Sequence, residues 1–195
     1  MGFREALRDL REVLGRLESL EGEVIRASRI LAEALRGGHK VLVCGNGGSA
    51  TDSQHFAAEL VGRLKGDRAP LPVIALTSDT AVLTAISNDY GYSEVFSRQV
   101  EALGEEGDVL VAISTSGRSE NVNRAVDVAL RKGLRVIYLT GEGGDVRGDV
   151  VLNVPSRSTQ RIQEIHRLLL HVIAESVEGL LLKDLGPQGD VVVGT

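Results

Sequence analysis

Only one cysteine, Cys44, occurs in the 195 residues, so no internal disulfide can form, and this usage suits a reducing compartment. Tryptophan is missing altogether and aromatic residues make up 3%, so the core must be aliphatic. Prolines number 4 against 23 glycines, a balance that points to many tight backbone turns. Basic residues are not in excess: 22 Lys and Arg against 27 Asp and Glu leave a net charge of −5. Proteins that live by neutralising nucleic-acid phosphates usually carry a basic face, so no nucleic-acid partner is expected. No apolar run approaches the ~18 residues that span a bilayer. The opening MGFREALRDLREVL is charged from its fourth residue and lacks the apolar segment and cleavage site of a secretory signal. The expectation is a soluble cytoplasmic chain with no membrane partner.

What the chain does have is 43% apolar residues, enough at this length for one sizeable core and one domain. Its organisation reads as a helical region over about 3–36, an α/β core over about 40–155 and a long helix over about 159–185. Leu7, Leu10, Leu14, Leu17, Leu20, Val24, Ile25, Ile30 and Leu31 recur at helical spacing, with Glu21-Gly22 as the expected break and Gly37-Gly38 as the stop. β-rich runs follow at Lys40–Cys44, Val73–Leu76, Val109–Ile113, Val136–Leu139 and Val150–Val154. Most are continuous rather than alternating, as strands buried on both faces should be. Helical stretches over Ala50–Leu64 and Val122–Leu130 separate them, which predicts a single α/β domain with a parallel sheet flanked by helices. The last helix carries Ile162, Ile165, Leu169, Val172, Ile173, Val177 and Leu180 on one broad face, and the tail 186–195 reads as frayed. The two terminal helical regions hold more apolar surface than one small sheet covers, which favours packing against further copies of the chain.

Two turns carry chemistry. Cys44-Gly45-Asn46-Gly47-Gly48-Ser49 closes the first strand, and its glycines let backbone approach a ligand at a helix N-terminus. Gly45-x-Gly47-x-x-Ala50 also fits a loose dinucleotide fingerprint, but no acidic residue closes the second strand to hold a ribose. The third strand ends in Ile113-Ser114-Thr115-Ser116-Gly117-Arg118-Ser119. Four hydroxyls in six positions exceed what helix capping needs and make a phosphate cradle. His55 and Glu59, four residues apart, share one helix face and could bind a metal or pair a base with an acid. Gln163, His166 and His171 lie on the last helix.

These motifs together identify a resemblance. Cys44–Ser49, His55-Phe56-Ala57, Glu59-Leu60, Ser87–Gly91, Gly107–Leu110, Ile113–Ser119 and Arg161–His166 resemble the phosphoheptose isomerase family, within the wider group of sugar-isomerase domains. The likeness runs from Gly37 to Leu182. It implies one zinc ion per site, held by His55, Glu59, Gln163 and His171. It implies substrate contacts from Asn46, Gly47, Gly48, Ser49, Glu59, Asn88, Asp89 and Gln163, and phosphate contacts from Ser114, Thr115, Ser116 and Ser119. Glu59 and His171 would be the catalytic proton-transfer pair. Gln160 stands where many relatives have an acidic residue, so the resemblance assigns it no substrate contact.

The implied reaction is aldose–ketose isomerisation of sedoheptulose 7-phosphate to D-glycero-D-manno-heptose 7-phosphate through an enediol, for heptose precursors of surface glycans. A non-enzymatic relative that binds the replication initiator is similar around Gln54–Ala58 and Val82–Ile86, but Glu59 and His171 are positions that it lacks. A nicotinamide-dependent oxidoreductase rests on the glycine fingerprint alone. Gln163 and His171 are eight residues apart, which on one helix means about 12 Å of rise. A zinc ligand set with its ~2 Å bonds is then expected to be divided between chains. Together with the homotetramer that the resemblance implies, this places sites at subunit interfaces and Glu59 and His171 on different chains.

Overall fold

A computed structural model describes residues 2–184. Helices α1 (Phe3–Leu14) and α2 (Glu21–Arg36) are joined by a 3-10 turn over Leu17–Leu20. Glu21 therefore begins a helix instead of breaking one, and the break falls earlier, after Gly15. Then come β1 (Val41–Gly45), α3 (Gly48–Val61), β2 (Val73–Ala75), α4 (Thr80–Tyr90), α5 (Ser97–Leu103), β3 (Val109–Ile113), α6 (Glu120–Arg131), β4 (Arg135–Gly141), β5 (Val150–Val154) and α7 (Thr159–Asp184). The expected frayed tail, 186–195, lies outside the described residues.

All five strands are parallel, in the order β2-β1-β3-β4-β5. The continuous apolar runs follow from burial on both faces. Val41 and Val43 of β1, with Val109, Val111 and Ile113 of β3, join α2, α3 and α7 in one core. Leu42 and Cys44, with Leu110 and Ala112, point the other way and meet Phe96, Val100, Val122 and Val126 in a second. Cys44 is wholly buried, and burial pushes its thiol up to about 12, so it is an inert core residue.

Two helices lie outside the sequence expectations, α4 and α5. Asp79 caps α4 by accepting from the Val82 N–H at 3.0 Å, a start signal of the usual kind. Yet α4 carries Ala81, Val82, Leu83, Ala85 and Ile86 and buries none of its residues.

His166 is wholly buried on α7 against β4, its Nε2 facing the Thr140 carbonyl at 3.3 Å while Nδ1 has no partner. Burial outweighs that hydrogen bond and lowers its pKa to about 4. Between pH 6.5 and 4 the unfolded chain therefore binds a proton that the native chain refuses, so stability falls as the pH drops through this window. The loss approaches an order of 3 kcal/mol near pH 4. Urea unfolding should show this slope, and the His166 ring resonances should not titrate between pH 5 and 7; titration near pH 6.5 would contradict the assignment.

Candidate active site

In open parallel sheets of this strand order, ligands bind outside the carboxyl ends of the strands where the order reverses, here between β1 and β3. Both turns singled out by the sequence lie there. After β1, Gly47 takes φ +56°, a backbone shape that suits only glycine, and α3 starts at the next residue. Ser49 is buried, and its main chain crowds Gly45 so closely that a Cβ at position 45 would meet it at 2.8 Å. After β3, Ser114 and Ser119 share a hydrogen bond of 2.8 Å between their hydroxyls. Ser119 begins α6 without a side-chain cap, so the first-turn N–H groups of that helix receive no hydroxyl cap. Gly117, at φ +65°, lets this turn close against Gly144 and Val146. Thr115, Ser116 and Arg118 line an adjoining cleft of about 550 Å³ together with Arg157, Glu142 and Asp145.

The proton-transfer candidates sit along the seam where α3 packs on α7. Gly48, Asp52, His55 and Glu59 follow one another on α3; Gln163, Arg167 and His171 do so on α7. The pairs meet rung by rung. Gln163 lies against Gly48, where any side chain would overlap its amide. Arg167 grips the buried Asp52 carboxylate with Nε at 2.8 Å and a terminal nitrogen at 2.6 Å. His55 and His171 approach to 2.7 Å between their Nε2 atoms, and Glu59 Oε1 stands 3.2 Å from His55 Nε2. One ligand atom from each of His55, Glu59 and His171 falls within 4.8 Å of the others. Burial and the charge of Arg167 hold His55 below its ordinary pKa against the opposite pull of Glu59, leaving an imidazole lone pair available near neutrality. Two imidazoles and a carboxylate at this separation fit a divalent transition metal such as zinc.

A buried ion pair supports this seam from below. Glu178 of α7 accepts the Leu64 and Lys65 N–H groups at 2.9 and 3.1 Å and pairs with Arg68 Nε at 3.0 Å. Arg68 in turn donates to the Glu59 carbonyl at 2.8 Å, so the helix end bearing Glu59 is tied to α7.

Gln163, eight residues before His171 on the same helix, reaches the glycine turn. The division of Glu59 and His171 between chains does not. α3 runs beside α7 and brings His55 and Glu59 to His171 within a single chain, a juxtaposition that spacing on one helix cannot reveal. Asn88 and Asp89 hydrogen-bond each other on the exposed last turn of α4. Tyr92, just beyond them, donates to Asn46 at 2.9 Å and brings that corner to the rim of the glycine turn. Gln160 is exposed at the start of α7 and accepts from the Ser158 hydroxyl at 3.2 Å. Asp52, Arg68, Arg167 and Glu178 carry no signal as isolated charged residues. The clue for two of them was position: Asp52 shares a face with His55 and Glu59, and Arg167 sits midway between Gln163 and His171.

A family model described as the SIS domain matches residues 5–141. The phosphoheptose isomerase of Bordetella avium (strain 197N) is 53% identical over 174 residues, covering 86% of this chain and 88% of that protein. The phosphoheptose isomerase of Geobacter sulfurreducens is 53% identical over 176 residues, covering 88% and 93%. A solved structure of phosphoheptose isomerase from Neisseria gonorrhoeae matches the fold with a TM-score of 0.85 at 44% identity, covering 90% of this chain and 96% of that one.

Proposed function

The chain belongs to the SIS domain family, and from that premise we propose that it is an aldose–ketose isomerase that converts sedoheptulose 7-phosphate to D-glycero-D-manno-heptose 7-phosphate. The observation that carries this reading is the meeting of His55, Glu59 and His171 in one chain, in a domain whose hydroxyl-lined turn stands at the sheet's switch point. Glu59 is the base that removes the proton next to the substrate carbonyl, giving an enediol, and the proton returns at the neighbouring carbon. His171 moves protons on the two oxygens. Ser114, Thr115, Ser116 and Ser119, with the N-terminus of α6, hold the phosphate, and this remote binding fixes the sugar for proton transfer. Asn46, Gly47, Gly48 and Ser49, with Asn88, Asp89 and Gln163, hold the sugar. His55, Glu59 and His171, with Gln163 carried over from the resemblance, would hold zinc, which when bound polarises the substrate oxygens and stabilises the developing negative charge.

The assembly we propose is a homotetramer with its sites next to subunit interfaces. The unburied apolar helix α4, exposed Phe3 and half-exposed Ile25 support it, as surfaces of this kind are ordinarily covered. Among the described residues no helix is long and apolar enough to cross a membrane, which agrees with a proposed cytoplasmic location. The non-enzymatic, initiator-binding reading is disfavoured because it leaves the convergence of Glu59 and His171 without a purpose.

The test is turnover of sedoheptulose 7-phosphate in D2O. Proton transfer through an enediol is expected to place deuterium at C2 of the product aldose. Absence of conversion, or a product carrying only its original hydrogens, would overturn the reading.

A further inference from the structure

Asn46 and Asn121 form a reciprocal amide pair that the mechanism above does not use. Asn46 Nδ2 donates to Asn121 Oδ1 at 2.8 Å, and Asn121 Nδ2 donates to Asn46 Oδ1 at 2.9 Å. We propose that Asn121, reinforced by Tyr92, is a positioning residue that fixes the Asn46 side chain as a hydrogen-bond donor toward the sugar. This deepens the isomerase reading and rests on it.

The orientation follows by elimination from a main-chain group. The Val122 N–H donates to Asn121 Oδ1 at 3.0 Å, and an N–H can only donate, so that atom of Asn121 must be the oxygen. Asn121 is buried, with 4% of its surface exposed, and water is not at hand to satisfy a reversed amide. Its Nδ2 must then face an acceptor, which sets the oxygen of Asn46 on the Asn121 side. The Tyr92 hydroxyl adds a second donor to that same oxygen at 2.9 Å. Both lone pairs of Asn46 Oδ1 are thereby used, one amide proton is committed to Asn121, and what remains free is the second Nδ2 proton. Asn46 therefore offers substrate a donor and nothing else. The pair also joins the turn after β1 to the start of α6, that is, the proposed sugar turn to the proposed phosphate turn, on strands adjacent in the sheet.

The experiment is a double-mutant cycle on sedoheptulose 7-phosphate with Asn46→Ala, Asn121→Ala and the double variant, with inorganic phosphate as a competitive inhibitor. Asn121→Ala is expected to lower kcat/KM about tenfold, the range of one or two neutral hydrogen bonds. In the Asn46→Ala background the same change should cost less than about twofold, because Asn121 acts through Asn46. Inhibition by phosphate should stay within about twofold of wild type, whereas a residue that merely held α6 in place would weaken it. Additive losses, or a wild-type rate in Asn121→Ala, would overturn the proposal. Should Asn121→Ala not fold, Tyr92→Phe at an exposed ring gives the same cycle: about threefold alone and no effect beside Asn46→Ala. Equal losses in both backgrounds would overturn it. Side-chain amide exchange measured by NMR on the resting protein separates the two claims. If sedoheptulose 7-phosphate is not turned over, the isomerase reading fails, while a slowly exchanging proton on each of Asn46 and Asn121 still supports the pairing and fast exchange of all four overturns it.

Discussion

Glu59→Gln is expected to lower kcat by about 10³–10⁴-fold while leaving the thermal midpoint unchanged. Gln keeps the size of the side chain and can still hydrogen-bond His55, so the α3–α7 seam survives. It cannot take a proton from carbon. The loss therefore falls on the transition state and not on packing. Steady-state kinetics at saturating zinc, beside a melting curve, check this. Near-normal turnover would remove Glu59 from the role of base, and a collapsed melting curve would mean that the residue is structural first.

The largest effect on stability is expected at Glu178. Its side chain and that of Arg68 are 4% and 3% exposed, so each charge depends on the other. Burial alone would raise the Glu178 pKa, but the Leu64 and Lys65 N–H groups and the Arg68 charge outweigh it and hold the carboxyl below its ordinary value. Glu178→Gln leaves a buried guanidinium without its counter-charge, which typically costs about 3–5 kcal/mol. For a chain of this size that corresponds to a fall in the melting midpoint of roughly 10 °C. Removing both partners, as in Arg68→Leu with Glu178→Leu, should recover much of the loss, because no charge is then buried alone. Urea unfolding of Glu178→Gln and of the double variant measures this. A single-variant change below about 1 kcal/mol would show that water reaches the pair. Because Arg68 also holds the Glu59 carbonyl, Glu178→Gln should lose activity below its melting range as well.

The strands were legible in the sequence for a physical reason. A strand buried on both faces must be apolar at every position, so Val109–Ile113 coincides with the structure residue for residue. Val150–Val154, an edge strand with Asn153 exposed, coincides as well through its buried Val150, Leu152 and Val154. Helix α4 was not legible, because only Leu83 and Ile86 of its apolar residues rest on the core, none of its residues is fully buried, and its last turn reads first as a ligand motif. At the site, local spacing showed that His55 and Glu59 share a face, and the hydroxyl turn identified itself by excess. What spacing could not show was the partner of that face. The contact of α3 with α7 depends on a parallel sheet that puts both helices on one side, and this joins residues 116 positions apart. The same limit explains why dividing the ligands between chains was reasonable from one helix and wrong from two. It also explains why Asn121 went unnoticed, since only the Val122 N–H in the folded chain fixes which way its amide points.

The central claim is that one chain assembles its own proton-transfer and metal-donor set, and that this set isomerises a phosphorylated ketose. It is tested most directly by following sedoheptulose 7-phosphate with purified protein, before and after treatment with a chelator and again after adding back zinc. The account predicts conversion to the aldose phosphate, its loss on chelation and its return with the metal. Full activity in the chelated protein would contradict a metal role for His55, Glu59 and His171, and no activity in any of the three conditions would contradict the isomerase itself.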